Sequence, residues 1–174
     1  MKRIFLGAAG ALALLLGGCG FQPLYGGAGR PVATALADVA VNPPDTRTGQ
    51  LFREEWDDEV ARAGGGRPAY RLDVAIDERR FERGLRIDDT ANRFELRLTV
   101  RYRLVSLEDG AVLSRGEEPV YVTYDVADQP YAGVAAHQDG QERAASEAAI
   151  RIRQTLSRFF AERTGVGTGP GAPG

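Results

Sequence analysis

The stretch "RFELRLTVRYRL", residues 93–104, alternates apolar and polar side chains without a break. Successive side chains of a strand point to opposite sides. Phe94, Leu96, Leu98, Val100, Tyr102 and Leu104 therefore share one face, and Arg93, Glu95, Arg97, Thr99, Arg101 and Arg103 share the other. Such alternation marks a strand with one side in a core and the other in water. At ~3.3 Å per residue the strand is roughly 40 Å long, about twice the usual length. The fold is read outward from this strand.

Upstream, Tyr70, Leu72, Val74 and Ile76 alternate with Arg71, Asp73 and Asp77, a second half-buried strand. Downstream, "LEDGAV" carries an Asp-Gly pair, the signal of a tight hairpin turn. Val120, Val122, Tyr124 and Val126 then place a strand at about 119–126. Residues 33–42, "ATALADVAVN", read as a first strand with Val39 and Val41 on one face, ended by Pro43 and Pro44.

Between the first two strands the period changes. Phe52, Trp56, Val60 and Ala63 form one helical stripe over 46–63. Asp45, Thr46 and Thr48 are candidate caps at its start, and Gly64 follows its end. A last helix carries Ala145, Ala149, Ile152, Leu156 and Phe159 or Phe160 on one stripe, with Arg151, Arg153, Arg158 and Arg163 toward its C-terminus, where the dipole favours cations. The order β-α-β-β-β-α predicts an α+β fold: a mixed four-stranded sheet with two helices packed on one face. Its other face, rich in arginine, is left to water, ligand or partner.

No catalytic constellation is legible, and we expect no enzyme. A hydrolase needs an activated nucleophile with a base in reach. His137 is the one histidine and reads as an exposed polar residue near a helix start. Glu54, Glu55, Asp57, Asp58 and Glu59 read as a solvated helix face, and Asp88-Asp89 suits a turn. Gly64-Gly65-Gly66 lacks the Lys-Ser/Thr that completes a phosphate loop. The arginine ladder is the remaining candidate. It has two readings: an ordinary solvated face with partial glutamate pairing, or a set of cations for a phosphorylated or carboxylated ligand. In the second, Arg97, Arg101 and Arg103, with Arg71 and Arg93, are the binding residues.

The beginning of the chain is read separately. Met1-Lys2-Arg3 precedes an apolar run from Ile4 to Leu16, within the ~7–15 residues of a secretory signal core and short of the ~20 that span a bilayer. Leu16-Gly17-Gly18-Cys19 resembles the lipobox of bacterial lipoproteins. That resemblance implies a diacylglycerol thioether on Cys19 and an acyl group on its freed amine; the residues themselves lead us to expect no other cofactor and no metal. Each buried methylene adds about 0.8 kcal/mol, so two or three chains hold the protein on a membrane. Gly20, rather than Asp, follows the cysteine, which by known lipoprotein sorting makes the outer membrane the expected destination.

We expect residues 1–18 to be a signal peptide, 19–33 a lipidated tether and 34–163 a single domain. Residues 164–174, "TGVGTGPGAPG", are too poor in apolar side chains to fold. Without residues 1–18 the 174-residue chain has 20 basic and 24 acidic side chains, and no basic excess points to nucleic acid. Lys2 is the only lysine, so every later positive side chain is an arginine, whose planar fork suits phosphate and carboxylate.

Cys19-Gly20-Phe21-Gln22-Pro23-Leu24-Tyr25-Gly26 resembles the "CGF-x-PLYG" start of alphaproteobacterial members of the LPS-assembly lipoprotein family, LptE. The element order and the Arg/Ala-rich last helix fit that family as well. The resemblance implies a lipoprotein on the periplasmic side of the outer membrane. It implies two partners, an LptD-type β-barrel that the lipoprotein plugs and helps to assemble, and lipopolysaccharide on its way to the outer leaflet. Two other readings remain: an auxiliary lipoprotein of a lipid ABC transporter, and a structural periplasmic lipoprotein without ligand.

Overall fold

The computed structural model describes residues 30–63, 67–85, 91–126, 129 and 131–165. Cys19 with its signal and tether through residue 29, Gly64–Gly66, Asp88-Asp89 and the tail beyond Gly165 lie outside the described residues. The side chains of Glu59, Val60 and Ala63 do too.

In chain order the elements are α1 (Arg30–Ala37), β1 (Val39–Asn42), α2 (Arg47–Ala63), β2 (Tyr70–Leu85), β3 (Ala91–Ser106), β4 (Val112–Asp125) and α3 (Ala132–Thr164). The strands form one sheet in the order β1-β2-β3-β4. β1 runs parallel to β2, and the other pairs are antiparallel. The mixed four-stranded sheet of an α+β fold is therefore present, with three helices.

β3 carries the centre of the core. Leu96, Leu98, Val100 and Leu104 are fully buried. Leu72, Val74 and Ile76 of β2 stand opposite Leu104, Tyr102 and Val100, while Val120 and Val122 of β4 stand opposite Leu98 and Leu96. The helices close this face. Phe52 and Trp56 of α2 are fully buried and stacked with ring centroids 6.4 Å apart. α3 contributes Ala144, Ala145, Ala148, Ala149, Ile152, Leu156 and Phe160 to the same cluster. Its run of alanines lets the helix axis approach the sheet closely.

Local signals explain where elements begin and end. Thr46 caps α2, its Oγ1 accepting the Gly49 N–H at 3.1 Å, one of the donors a helix start leaves without a partner. In the β3–β4 hairpin Gly110 has φ 73°, a conformation open to glycine, and Asp109 Oδ1 accepts the Ala111 N–H at 3.1 Å.

The structure departs from the sequence reading at four places. Residues 33–37 belong to helix α1, not to the first strand, which is only Val39–Asn42. The reason is a short helical stripe: Val32 is buried and Ala35 and Leu36 are partly buried against the core, at spacings of three and four. β2 extends to Leu85 because β3 continues to pair with it after its inward positions turn polar at Glu78, Arg80 and Glu82. β4 begins at Val112, seven residues before Pro119, because inward positions Ser114, Gly116 and Glu118 give no apolar signal. Pro119 sits on the edge strand, where a missing N–H removes no ladder bond. His137, expected to be exposed, is instead half-buried in a polar bridge described below.

Gly116 stands directly opposite Tyr102, and a Cβ there would lie 2.6 Å from Tyr102 Oη and 2.8 Å from its Cζ. The glycine leaves room for a tyrosine ring that is itself buried. Gly116→Val is expected to destabilise the fold by about 1–3 kcal/mol through overpacking. Urea denaturation at neutral pH checks this; an unchanged midpoint would show that the ring moves freely.

Candidate functional site

Strand parity sends Arg71, Arg93, Arg97, Arg101 and Arg103 to the sheet face opposite the helices. All five arginines read from the sequence thus share one surface. The structure adds Arg79 and Arg83 from the extension of β2, Arg115 from the extension of β4, and two aromatic residues, Phe81 and Tyr121. Their signal was the same period of two, carried past Asp77 and begun before Pro119. Eight arginines share the face with five carboxylates: Asp73, Asp77, Glu95, Glu117 and Asp125. The surface is positive on a chain whose formal net charge is −2.

Each of the five predicted arginines has a carboxylate nearby. Arg71 donates to Asp73 from Nε at 2.9 Å and from Nη2 at 3.4 Å. Arg103 Nη2 lies 3.6 Å from the same carboxylate. Arg93 forms a two-pronged pair with Asp125 at 2.8 and 3.2 Å, and Arg101 lies 3.6 Å from Glu117. Arg97 is 3.8 Å from Glu95, whose Oε1 already accepts from Arg83 at 2.8 Å. Glutamate and aspartate thus pair with the ladder, and cationic surface remains beside these pairs.

Arg97 has the most defined surroundings. Its guanidinium carbon lies 4.8 Å from the Phe81 ring centroid and 5.1 Å from that of Tyr121, and its Nε is buried without a hydrogen-bond partner. Two cation–π contacts hold the side chain, which remains 40% exposed beyond its buried Nε. Tyr121 is 55% exposed.

The carboxylates feel this charge. Burial pushes Asp73 up, but hydrogen bonds from Arg71 and Asn42 and the charges of Arg71 and Arg103 outweigh it, so its pKa falls below the ordinary value. The Arg83 hydrogen bond holds Glu95 down, and the Arg93 hydrogen bond does the same for Asp125. A carboxylate with a depressed folded pKa adds stability above its unfolded value near 4. That contribution is lost as pH falls through the folded pKa values. The melting temperature is expected to drop as pH is lowered below about 4. Asp73→Asn should flatten the drop, and an unchanged pH profile would count against this pairing.

A second polar group lies on the helix side. Glu78 Oε2 accepts from Thr48 Oγ1 at 2.6 Å, and Gln141 Nε2 donates to both Glu78 oxygens at 2.9 and 3.1 Å. His137 Nε2 lies 3.5 Å from Glu78, and its Nδ1 is 3.1 Å from the Tyr124 hydroxyl. These residues join α2, β2, β4 and α3. Tyr124 is only 6% exposed and packs on Gly140, so its hydroxyl serves the fold and is closed to an external substrate. Among the described residues no group of three or more His, Cys, Asp and Glu is placed to hold a metal. Nor is any described helix long and apolar enough to cross a membrane.

Comparison with known proteins follows the same outline. The family LptE, Lipopolysaccharide-assembly, matches residues 36–156. A putative lipoprotein from Caulobacter crescentus CB15 is 46% identical, with a TM-score of 0.65 over 76% of this chain and 96% of that one. Rare lipoprotein B from Shewanella oneidensis shares the fold at 15% identity, with a TM-score of 0.50 over 72% and 96% of the two chains. A minor lipoprotein from Acinetobacter baumannii does so at 13% identity, with a TM-score of 0.51 over 69% and 88%. No curated protein sequence matches the chain.

Proposed function

The chain belongs to the LptE lipopolysaccharide-assembly family, and we propose that it is the lipoprotein half of a two-protein lipopolysaccharide translocon in the outer membrane. In this reading Cys19 carries the diacylglycerol and N-acyl anchor, and the segment that follows it tethers the folded domain to the periplasmic leaflet. The domain plugs an LptD-type β-barrel, assists its assembly and receives lipopolysaccharide before its insertion into the outer leaflet. One observation carries the reading beyond family membership: a long sheet covered by helices on one side keeps a positive, solvent-facing surface on the other. Arginine forks in that setting suit the phosphates of lipopolysaccharide. Arg71, Arg93, Arg97, Arg101 and Arg103 are the proposed contacts.

The test is a mild-detergent pull-down of the tagged lipoprotein from outer membranes, with mass spectrometry of what co-purifies. A stoichiometric, heat-modifiable β-barrel of the translocon type is the expected result. Recovery of the lipoprotein with an inner-membrane transporter would favour the ABC-transporter reading. Recovery alone, with no affinity for lipopolysaccharide, would leave a structural lipoprotein.

A further inference from the structure

We propose that two arginine pairs facing each other across strands, Arg103 with Arg115 and Arg97 with Arg79, are the seats for phosphate groups of the glycolipid. This inference rests on the lipopolysaccharide-binding reading and assigns it to particular residues. The register sets Arg103 directly opposite Arg115 and Arg79 directly opposite Arg97. Side chains so placed have Cβ atoms about 4.5–5.5 Å apart, and like charges there destabilise a sheet. The rest of this face follows the opposite rule, with Arg101 opposite Glu117, Arg93 opposite Asp125 and Arg103 opposite Asp73.

The carboxylates nearby leave both pairs short of negative charge. Asp73 lies 3.6 Å from Arg103 but already accepts two hydrogen bonds from Arg71. Arg115 is exposed and has no ion-pair or hydrogen-bond partner among the described residues. In the other pair Asp77 takes only the Nε of Arg79, at 3.0 Å, and the nearest carboxylate oxygen to Arg97 is engaged by Arg83. Each pair thus offers two guanidinium forks with donors to spare. A phosphomonoester set between them converts one repulsion into two charge-assisted contacts, and the fork geometry matches its oxygens. Phe81 and Tyr121 already hold Arg97 in place, so binding there orders little that was free. The seats are six residues apart along β3, roughly 20 Å at ~3.3 Å per residue, and act as separate sites.

The test compares binding of purified lipopolysaccharide, and of the same preparation after chemical dephosphorylation, to the full chain and to an Arg79→Gln/Arg115→Gln variant. The wild type should prefer the phosphorylated form. The double variant should lose about tenfold or more of that affinity while binding the dephosphorylated form as before. Its melting temperature should hold or rise, because the repulsion is gone. Arg53→Gln, on α2 away from this face, should change neither affinity. If the wild type discriminates and the double variant discriminates equally, the seats are wrong and the binding reading survives. Equal wild-type affinity for both forms also removes the seats alone. If the wild type binds neither form, seats and reading fall together. Loss of barrel co-purification with unchanged lipopolysaccharide affinity would give these arginines to a protein contact instead and overturn the proposal.

Discussion

Serine at Arg97, Arg101 and Arg103 together is expected to lower the affinity for lipopolysaccharide by roughly a hundredfold while leaving the domain folded. Hydrogen bonds between charged groups contribute about 1.5–3 kcal/mol when well formed, and exposure reduces that. Taking about 1 kcal/mol for each of three positions gives about 3 kcal/mol, or two orders of magnitude. The carboxylates add to the effect. Glu117 loses its arginine and presents unopposed negative charge to an incoming phosphate, while Glu95 and Asp73 keep only Arg83 and Arg71. Stability should change little, because exposed ion pairs contribute about 0–1 kcal/mol each. Binding and thermal melting are to be measured on the same preparations, with barrel co-purification beside them. Unchanged lipopolysaccharide affinity would remove the ladder from the site. A lost barrel with intact lipid affinity would reassign the face to the partner.

The largest effect on stability is expected at Trp56. It is fully buried, stacked on Phe52 and drawn into the cluster that joins α2 to the sheet. Trp56→Ala should cost about 3–5 kcal/mol, the range for emptying an aromatic site in a close-packed interior. Trp56→Phe should cost far less. The indole Nε1–H is buried without a partner, and an unsatisfied buried donor costs about 1–3 kcal/mol. Phenylalanine removes that donor along with part of the volume, so the two changes oppose each other. Urea denaturation followed by circular dichroism measures both variants, since Trp56 is the only tryptophan and its fluorescence is lost with it. Equal losses in the two would mean that phenylalanine does not refill the site and that neither retained ring volume nor removal of the orphaned donor offsets the loss of the indole.

The sequence made the central strand legible because its alternation never lapses from Phe94 to Leu104, and both faces obey it. It lost β2 after Ile76 and β4 before Pro119 for a shared reason: those segments are strands by virtue of their neighbour's hydrogen bonds, and their inward side chains are not apolar. Glu78 shows this most plainly. It lies on the core side of β2, where alternation predicts an aliphatic residue, and it is accommodated because Thr48 and Gln141 arrive from two helices to meet it. α1 was missed because Ala-Thr-Ala-Leu-Ala fits a strand and a short helix equally well, and only its packing against the core decides between them. The five ladder arginines were legible from period alone. Arg79 and Arg115 were not, because each lies in a segment whose strand character comes from pairing, and only the register reveals what stands across from it.

β3 is hydrogen-bonded along both edges, to β2 on one side and β4 on the other. Its amides therefore exchange with solvent only through openings that disrupt the sheet itself, whereas the outer edge of β4 opens at less cost. Arg93, Arg97, Arg101 and Arg103 all hang from this innermost strand. Four solvent-facing cations are thus mounted on a backbone paired along both edges, and the spacing between their Cα atoms is held before any ligand arrives. Recognition on such a surface discriminates by fixed geometry, and it spends little conformational entropy in doing so.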